Sequence, residues 1–375
     1  MTGKGDNAWM SRALKLAWRG LYTTDPNPLV GCVIVKDNVL IAEGWHQKAG
    51  QPHAEKIALA AAGEEAKGAT LYVTLEPCCH HGKTPPCSDA VVKAGVSRVV
   101  IAMKDPNPLV AGKGIKQLQD AGIEVDCGLL EQQARELNPG CISRMERGRP
   151  WVRCKLAMSV DGRTAMASGE SKWITSDASR KDVHRLRARS SAVVTGIGTL
   201  LADDPSLNVR RNDAELPGVS IDAPLTLPLR VIMDADLRTP PDARMLELEG
   251  ETLIVTASTD SERSRALEDA GAELLLIDRE SGHLDWHHLL RELNDRQIND
   301  VLIEAGATIA GSAVRAGIID ELVLYMAPHL MGDAARGLVH LPGLDTMEQR
   351  IELQLTDLRQ LGNDIRMSYR IKEAD

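Results

Sequence analysis

Apolar residues in the opening segment recur at Met10, Ala13, Leu14, Ala17, Trp18 and Leu21. That spacing of three and four predicts an amphipathic helix, and no apolar core of a secretory leader precedes it. Two short apolar runs follow, residues 31–35 and 39–43, around Lys36-Asp37-Asn38, and together they read as a hairpin. Residues 53–62 are Ala-rich and helical, and 114–121 form a further helix. Residues 70–75, 97–103 and 123–127 read as strands, the first two each preceded by a helix-like stretch. The alternation predicts a largely parallel sheet with helices on both faces.

The segment 138–150 (NPGCISRMERGRP) carries Pro, Gly and charge with little periodicity. It is the expected domain boundary, dividing the chain into residues 1–147 and 148–375. Alternation then resumes. Strands are predicted at 152–159, 192–195, 230–233, 252–256, 273–277, 300–304 and 321–327, helices at 176–190 and 287–294, and a surface loop over 207–228. There are no internal repeats and no low-complexity segment.

Composition narrows the function classes. A chain of 375 residues is long for one core and comfortable for two. A net charge of −9 argues against a nucleic-acid-coating protein and leaves room for a local basic pocket. No apolar run is long enough to span a bilayer, so a cytoplasmic protein is expected. Of seven cysteines, Cys78, Cys79 and Cys87 cluster, which in a reducing compartment points to metal or catalysis. No Phe occurs, although Trp and Tyr do, and nothing in core packing requires that.

The chemistry begins at His53-Ala54-Glu55, which opens a helix. Pro77-Cys78 follows a strand, and Cys87 lies nine positions on. One imidazole and two thiolates suit a catalytic Zn²⁺ that keeps a fourth position for water. Glu55 points away from the ligands and is placed to shuttle protons, the arrangement of zinc nucleobase deaminases. Cys79 and His80 are the nearby residues that could instead close a structural site.

Eight residues separate Cys78 from Cys87, as PCCHHGKTPPC. With Pro26-Asn27-Pro28, Gly44-x-His46, Pro52-His53-Ala54-Glu55 and Asp105-Pro106-Asn107-Pro108, this resembles the riboflavin-pathway deaminases. The resemblance implies hydrolytic deamination of a diaminopyrimidinone bearing a phosphoribosylamino group. It makes His53, Cys78 and Cys87 the zinc ligands and Glu55 the proton shuttle. It makes Asn27, His46, Lys83, Asp105 and Asn107 substrate contacts. Lys83, alone, would be an ordinary surface lysine.

The second half holds two glycine turns after strands, at Gly196-Ile197-Gly198-Thr199 and Glu304-Ala305-Gly306-Ala307-Thr308. A glycine turn at a helix N-terminus can cradle a phosphate. The second lacks the P-loop lysine, which argues against an NTPase. With Lys155-Leu156-Ala157-x-Ser159-x-Asp161-Gly162, Ser171-x-Trp173 and Ala202-Asp203-Asp204-Pro205-x-Leu207, these turns resemble the reductase half of the same riboflavin enzymes. The resemblance places Ala157, Trp173, Thr199, Asp203, Gly306, Ala307 and Thr308 along NADPH. Ser171, Arg187, Leu207, Arg210 and Glu304 contact substrate, and Lys155 lies between the two and assists hydride transfer. A guanidinium binds phosphate bidentately, so Arg187 and Arg210 suit the substrate's phosphate, although either alone would read as a surface charge.

The expected architecture is therefore α/β twice over: a cytidine-deaminase-like three-layer α/β/α domain, then a dihydrofolate-reductase-like domain. The implied cofactors are one Zn²⁺ per chain and NADPH. The expected partners are small phosphorylated pyrimidines and further copies of the chain, with neither nucleic acid nor membrane. The rival reading is a zinc nucleoside or nucleic-acid deaminase with an appended nucleotide-binding regulatory domain. Trp45 and Cys141 stand where the family often has Phe, departures that bear on packing and not on chemistry.

Overall fold

A computed structural model describes residues 4–79, 86–108, 110–210, 214–217, 219, 225–280 and 282–372. The chain divides into two compact units, residues 1–148 with 217–226, and residues 149–216 with 227–375.

The first unit has five strands, β1 (Gly31–Lys36), β2 (Val39–Trp45), β3 (Thr70–Val73), β4 (Arg98–Ile101) and β5 (Glu124–Cys127), in the order β2-β1-β3-β4-β5. Its helices are α1 (Lys4–Ala17), α2 (Ala54–Ala62), α3 (Cys87–Ala94), α4 (Lys113–Asp120), α5 (Glu131–Leu137) and α6 (Pro139–Arg147). The sheet is mixed, which corrects the expectation of a largely parallel one: β1 runs antiparallel to both β2 and β3. The cause is the hairpin. Asp37 and Asn38, both at positive φ, reverse the chain into β2, and the crossover through α2 returns β3 on the far side of β1. Only β3, β4 and β5 are mutually parallel.

Side-chain alternation along β1 explains the three layers. Val33 and Val35 face a core completed by Met10, Ala13 and Ala17 of α1, Ala134 and Leu137 of α5, and Ile142 of α6. Cys32 and Ile34 face the other core, with Ala54, Ala58 and Ala62 of α2, Val91 of α3 and Leu118 of α4. Helices thus cover both faces, as expected. The predicted boundary segment contains a helix, α6, over residues 139–147. Its pattern is weak because it buries little besides Gly140, Ile142 and Ser143. Asn138 anchors it by exchanging two hydrogen bonds with the Leu29 backbone, at 2.7 and 3.0 Å. Gly148, at φ 65°, ends it.

The second unit is built on nine strands. In chain order these are β6 (Trp151–Ser159), β8 (Ala192–Gly196), β9 (Leu229–Met233), β10 (Thr252–Thr256), β11 (Glu273–Leu276), β14 (Asp300–Ile303), β15 (Glu321–Ala327), β17 (Leu353–Leu361) and β18 (Asp364–Ile371). Four short strands, β7 (Arg163–Ala165), β12 (Arg279–Glu280), β13 (His283–Leu284) and β16 (Arg336–Gly337), form two small ribbons, β12 with β13 and β7 with β16. The main sheet runs β11-β10-β9-β8-β14-β6-β15-β18-β17. All pairs through β15 are parallel, and β18 and β17 continue antiparallel. Among the described residues its helices include α7 (Asp177–Ala188), α8 (Ile197–Asp203), α9 (Arg244–Glu247), α10 (Ser261–Asp269), α11 (Trp286–Asp295) and α12 (Ala307–Arg315). α7, α8 and α10 bury Leu186, Leu200 and Leu267 on one face of the sheet; α11 and α12 bury Leu289, Leu293, Ala310 and Ala313 on the other. All seven strands predicted for this half are present, and the β17–β18 hairpin is additional. It turns on Gly362-Asn363, with Gly362 at φ 64°.

Candidate active sites

In the first unit the fold carries three donors to one point. His53 immediately precedes α2 and Cys87 is the first residue of α3, so both stand at helix N-termini. Gly44 permits the approach of α2 to β2: a Cβ there would lie 2.6 Å from the Ala54 carbonyl oxygen. Cys78 arrives from the end of β3. His53 Nδ1 lies 3.3 Å from Cys87 Sγ and 3.7 Å from Cys78 Sγ, and all three donor atoms fall within 4.8 Å of one another. Tetrahedral zinc, with bonds of about 2.3 Å to sulfur and 2.0 Å to nitrogen, sets such donors about 3.5–3.8 Å apart. The residues present therefore fit that ion. Among the described residues the cluster has these three members; Cys79 is not part of it, and His80 and Lys83 lie outside the described residues.

The local electrostatics favour a thiolate on Cys78 and a thiol on Cys87. The Cys87 thiol and amide and His53 donate to Cys78 and pull its thiol down to about 4, against burial. Bonding to that sulfur, with burial and the Glu55 charge, pushes Cys87 up. The Cys78 hydrogen bond and the Glu55 charge raise His53 against burial. Glu55, in the first turn of α2, is 3% exposed, and burial raises its carboxyl above the ordinary range. Cys32 of β1 is fully buried, and burial and the Glu55 charge raise its thiol well above normal.

Two of the substrate candidates, Asn27 and His46, stand beside this cluster. The Asn27 amide nitrogen lies 3.0 Å from His46 Nε2, and His46 Nδ1 lies 3.2 Å from the Pro52 carbonyl oxygen. With Nδ1 donating to Pro52, Nε2 is left to accept from Asn27, so the ring is neutral; burial lowers its pKa accordingly. The rings of His46 and His53 meet edge-on at 5.2 Å. Asp105 and Asn107 follow β4, at the sheet edge from which Cys78 leaves β3, and the Asn107 amide donates to Asp105 Oδ1 at 2.8 Å. Trp45, where Phe was expected, packs against the α1-side core with the Arg19 guanidinium 4.1 Å from its ring centre.

In the second unit β8 and β14 are parallel neighbours, and each ends in a helix N-terminus, α8 and α12. The Glu304 amide donates to Val194 O at 2.8 Å and Thr195 Oγ1 donates to Glu304 O at 2.9 Å, which fixes the two turns together. A Cβ on Gly306 would lie 4.0 Å from Thr199 Oγ1. Gly306 caps α12 and Ala307 and Thr308 open it, so the first turns of α12 and α8 both lie beyond the ends of the neighbouring strands β14 and β8, where open α/β sheets form a crevice. Such crevices bind phosphate groups. Ala157 of β6 is half-buried. Asp203 pairs with Lys172 at 2.9 Å, and exposed Trp173 carries the Arg180 guanidinium 4.6 Å from its ring centre. Ser171 is half-buried.

Three charged side chains influence one another near these turns. Arg187 of α7 donates Nε and Nη2 to the two Glu304 oxygens at 2.5 and 2.9 Å, and Nη1 to the Asn208 carbonyl at 3.2 Å. The bidentate face that the sequence reading reserves for a phosphate is occupied by Glu304. Burial raises the Glu304 carboxyl, but Arg187 and Lys155 outweigh it and hold the group below its ordinary value. Lys155 of β6 has its ammonium 5.8 Å from the Tyr325 ring centre, and burial lowers its pKa while Glu304 opposes the shift. Leu207 is buried with φ 45°, and exposed Arg210 donates its amide to His184 Nδ1 at 3.3 Å.

Several supporting residues escaped the sequence reading. Asp364 of the β17–β18 turn accepts from Ser176 N, Ser176 Oγ and Ser179 Oγ, capping α7, which carries Arg187. Asp161 accepts from Ser159 Oγ and from the amides of Met331 and Gly332, which together lower it to about 2. Asp161 could have been noticed in Ser159-x-Asp161-Gly162; Asp364 had no local signal.

Comparison with known proteins agrees with this geometry. The cytidine and deoxycytidylate deaminase zinc-binding region matches residues 4–103, and the RibD C-terminal domain matches residues 150–367. The riboflavin biosynthesis protein RibD of Escherichia coli is 49% identical over 96% of this chain and 98% of its own. That of Haemophilus influenzae is 49% identical over 97% of each. The chain belongs to the RibD family. A solved Acinetobacter baumannii RibD superimposes with TM-score 0.91 at 49% identity, covering 99% of each chain. A Thermotoga maritima diaminohydroxyphosphoribosylaminopyrimidine deaminase/5-amino-6-(5-phosphoribosylamino)uracil reductase gives 0.84 at 33%, covering 98% of this chain and 99% of its own. This RibD-family chain is a bifunctional enzyme of riboflavin biosynthesis, with zinc-dependent deaminase and NADPH-dependent reductase activities. The reading of the second half as an appended regulatory domain is not supported.

Proposed function

We propose that residues 1–147 deaminate 2,5-diamino-6-ribosylamino-4(3H)-pyrimidinone 5′-phosphate and that residues 148–375 reduce the ribosyl group of the product, 5-amino-6-(5-phosphoribosylamino)uracil, to ribityl. The observation that carries this reading is the three-donor cluster of His53, Cys78 and Cys87 with the buried acid Glu55 in the adjoining helical turn. Zinc, when bound, lowers the pKa of its water so that a nucleophile is available at neutral pH. With zinc held by His53, Cys78 and Cys87, Glu55 would carry the proton from the attacking water to the departing amine; burial, which raises its carboxyl, favours the proton-holding form. Asn27 and His46, fixed by their mutual hydrogen bond, border the pyrimidine, and Asp105 and Asn107 approach from the loop after β4. Lys83 meets the substrate phosphate.

In the reductase half NADPH supplies the hydride. Ala157, Trp173, Thr199, Asp203 and residues 306–308 bind it. Ser171, Leu207 and Glu304 orient the opened sugar, Lys155 holds a proton near C1′, and Arg210 takes the phosphate. Arg187 acts through Glu304, which its bidentate bond fixes in place. We read the protein as cytoplasmic, acting on small molecules and not on nucleic acid. Among the described residues no helix is long and apolar enough to cross a membrane. A homo-oligomer is supported by edge strand β17, where Leu355 and Leu358 are 50% and 59% exposed.

Replacing Cys87 by Ser tests the assignment. The variant should lose its zinc and its ammonia release while still oxidising NADPH with the deaminated substrate. Full zinc occupancy in Cys87→Ser would remove Cys87 from the ligand set.

A further inference from the structure

Glu76 lies between β3 and Cys78 and is 3% exposed. Its carboxylate accepts three backbone N–H bonds from a single distant segment. Asp105 N and Gly112 N donate to Oε2 at 3.2 and 2.9 Å, and Ile115 N donates to Oε1 at 3.1 Å. Among the described residues no cation pairs with it. A buried carboxylate is costly unless hydrogen bonds replace its water, so these amides are what keep it there.

Two of the donors belong to the N-terminus of α4. Gly112 is its N-cap residue and has no side chain with which to cap, and Glu76 supplies the missing acceptor from across the fold. Gly114 makes the approach possible. A Cβ at that position would lie 2.2 Å from the Pro77 carbonyl oxygen and 3.2 Å from Glu76 Oε1. The first turn of α4 therefore presses directly on Glu76-Pro77, the two residues before Cys78. The third donor, Asp105, begins the loop that carries Asp105 and Asn107.

We infer that Glu76 is a positioning residue of the deaminase. It ties both ends of the 105–112 loop to the turn that delivers Cys78, and so holds Asp105 and Asn107 in register with the zinc cluster. The inference rests on reading those two residues as substrate contacts. Its consequence is that Glu76 governs substrate affinity and not the chemical step.

The test uses the zinc-loaded full-length enzyme. Glu76→Gln keeps the shape but turns one acceptor into a donor facing backbone N–H groups. Its deaminase KM should rise about tenfold, the effect of losing one charge-assisted hydrogen bond, with kcat changed by less than about threefold. Zinc content and NADPH oxidation should be unchanged. The milder Glu76→Asp keeps the charge and should raise KM by less. Hydrogen exchange gives a readout independent of substrate: the amides of Asp105, Gly112 and Ile115 should lose protection in Glu76→Gln. Unchanged protection would overturn the tie itself. Lost protection with KM unmoved would instead overturn the assignment of Asp105 and Asn107 to substrate. Loss of zinc together with a fall in kcat would show Glu76 to serve the metal site, also against the inference.

Discussion

Glu304→Gln probes the reductase site most directly, because it removes a charge while barely changing shape. In the native protein the Arg187 and Glu304 side chains are 16% and 9% exposed and share two hydrogen bonds, at 2.5 and 2.9 Å. Gln keeps one acceptor and aims an NH₂ group at the second guanidinium N–H. Breaking a buried pair from one side costs about 3–5 kcal/mol, since the remaining charge stays buried. One bond survives here, so the lower end, about 3 kcal/mol, applies. In a unit of this size each kcal/mol moves Tm by about 2–4 °C, which gives a drop of about 6–12 °C. Calorimetry should find that drop in the reductase transition. NADPH oxidation should fall steeply while ammonia release is spared. Lys155 should also become harder to protonate, because Glu304 is the largest influence favouring its charge. Adding Arg187→Met to Glu304→Gln removes the stranded charge and should recover part of the stability, a non-additivity expected of contacting residues. A Tm within about 1 °C of wild type for Glu304→Gln would refute the claim that this pair organises the site.

Two further outcomes are expected. Glu55→Gln should retain zinc while ammonia release falls by about 10²–10⁴, the usual contribution of a general acid–base, and near-normal release would take Glu55 out of the mechanism. Acid should weaken the second unit through Glu321, whose carboxyl burial raises but Arg153 and Arg189 pull down to about 2. A depressed folded pKa stabilises above the unfolded value of about 4.3 and loses that effect as pH falls toward 2, so Tm should drop between about pH 5 and 2 and Glu321→Gln should flatten the drop; an unaltered curve in the variant would refute this.

The main elements were legible where one periodicity dominated. Strands such as β8 and β10 are buried along their whole length and read as continuous apolar runs. Helix α2 announced itself through its alanines. Strand direction was less legible, because the pattern along β1 is the same whether its neighbours run parallel or antiparallel; only the Asp37-Asn38 turn carried that information. Helix α6 was missed because it buries only Gly140, Ile142 and Ser143, which set no apolar period, and its anchor, Leu29, is far away in sequence. Strand β17 was missed for a related reason: at a sheet edge neither face is fully covered, so no alternation of buried and exposed residues is imposed on it.

The candidate chemistry was more legible than the scaffold that holds it, and the difference follows from what each requires. A metal ligand must be one of very few residue types, so His53, Cys78 and Cys87 stand out from any background. The support around them needs only an acceptor in the right place, which many residues can supply. Glu76, Asp161 and Asp364 each satisfy two or three donors of a segment far away in sequence, and nothing local shows which donors those are. The same limit explains Arg187. Sequence showed a guanidinium suited to phosphate, but not the carboxylate that fills its fork. Whether an arginine binds substrate or builds the site is decided by its buried partner, and Glu304 lies more than a hundred residues away on another strand end.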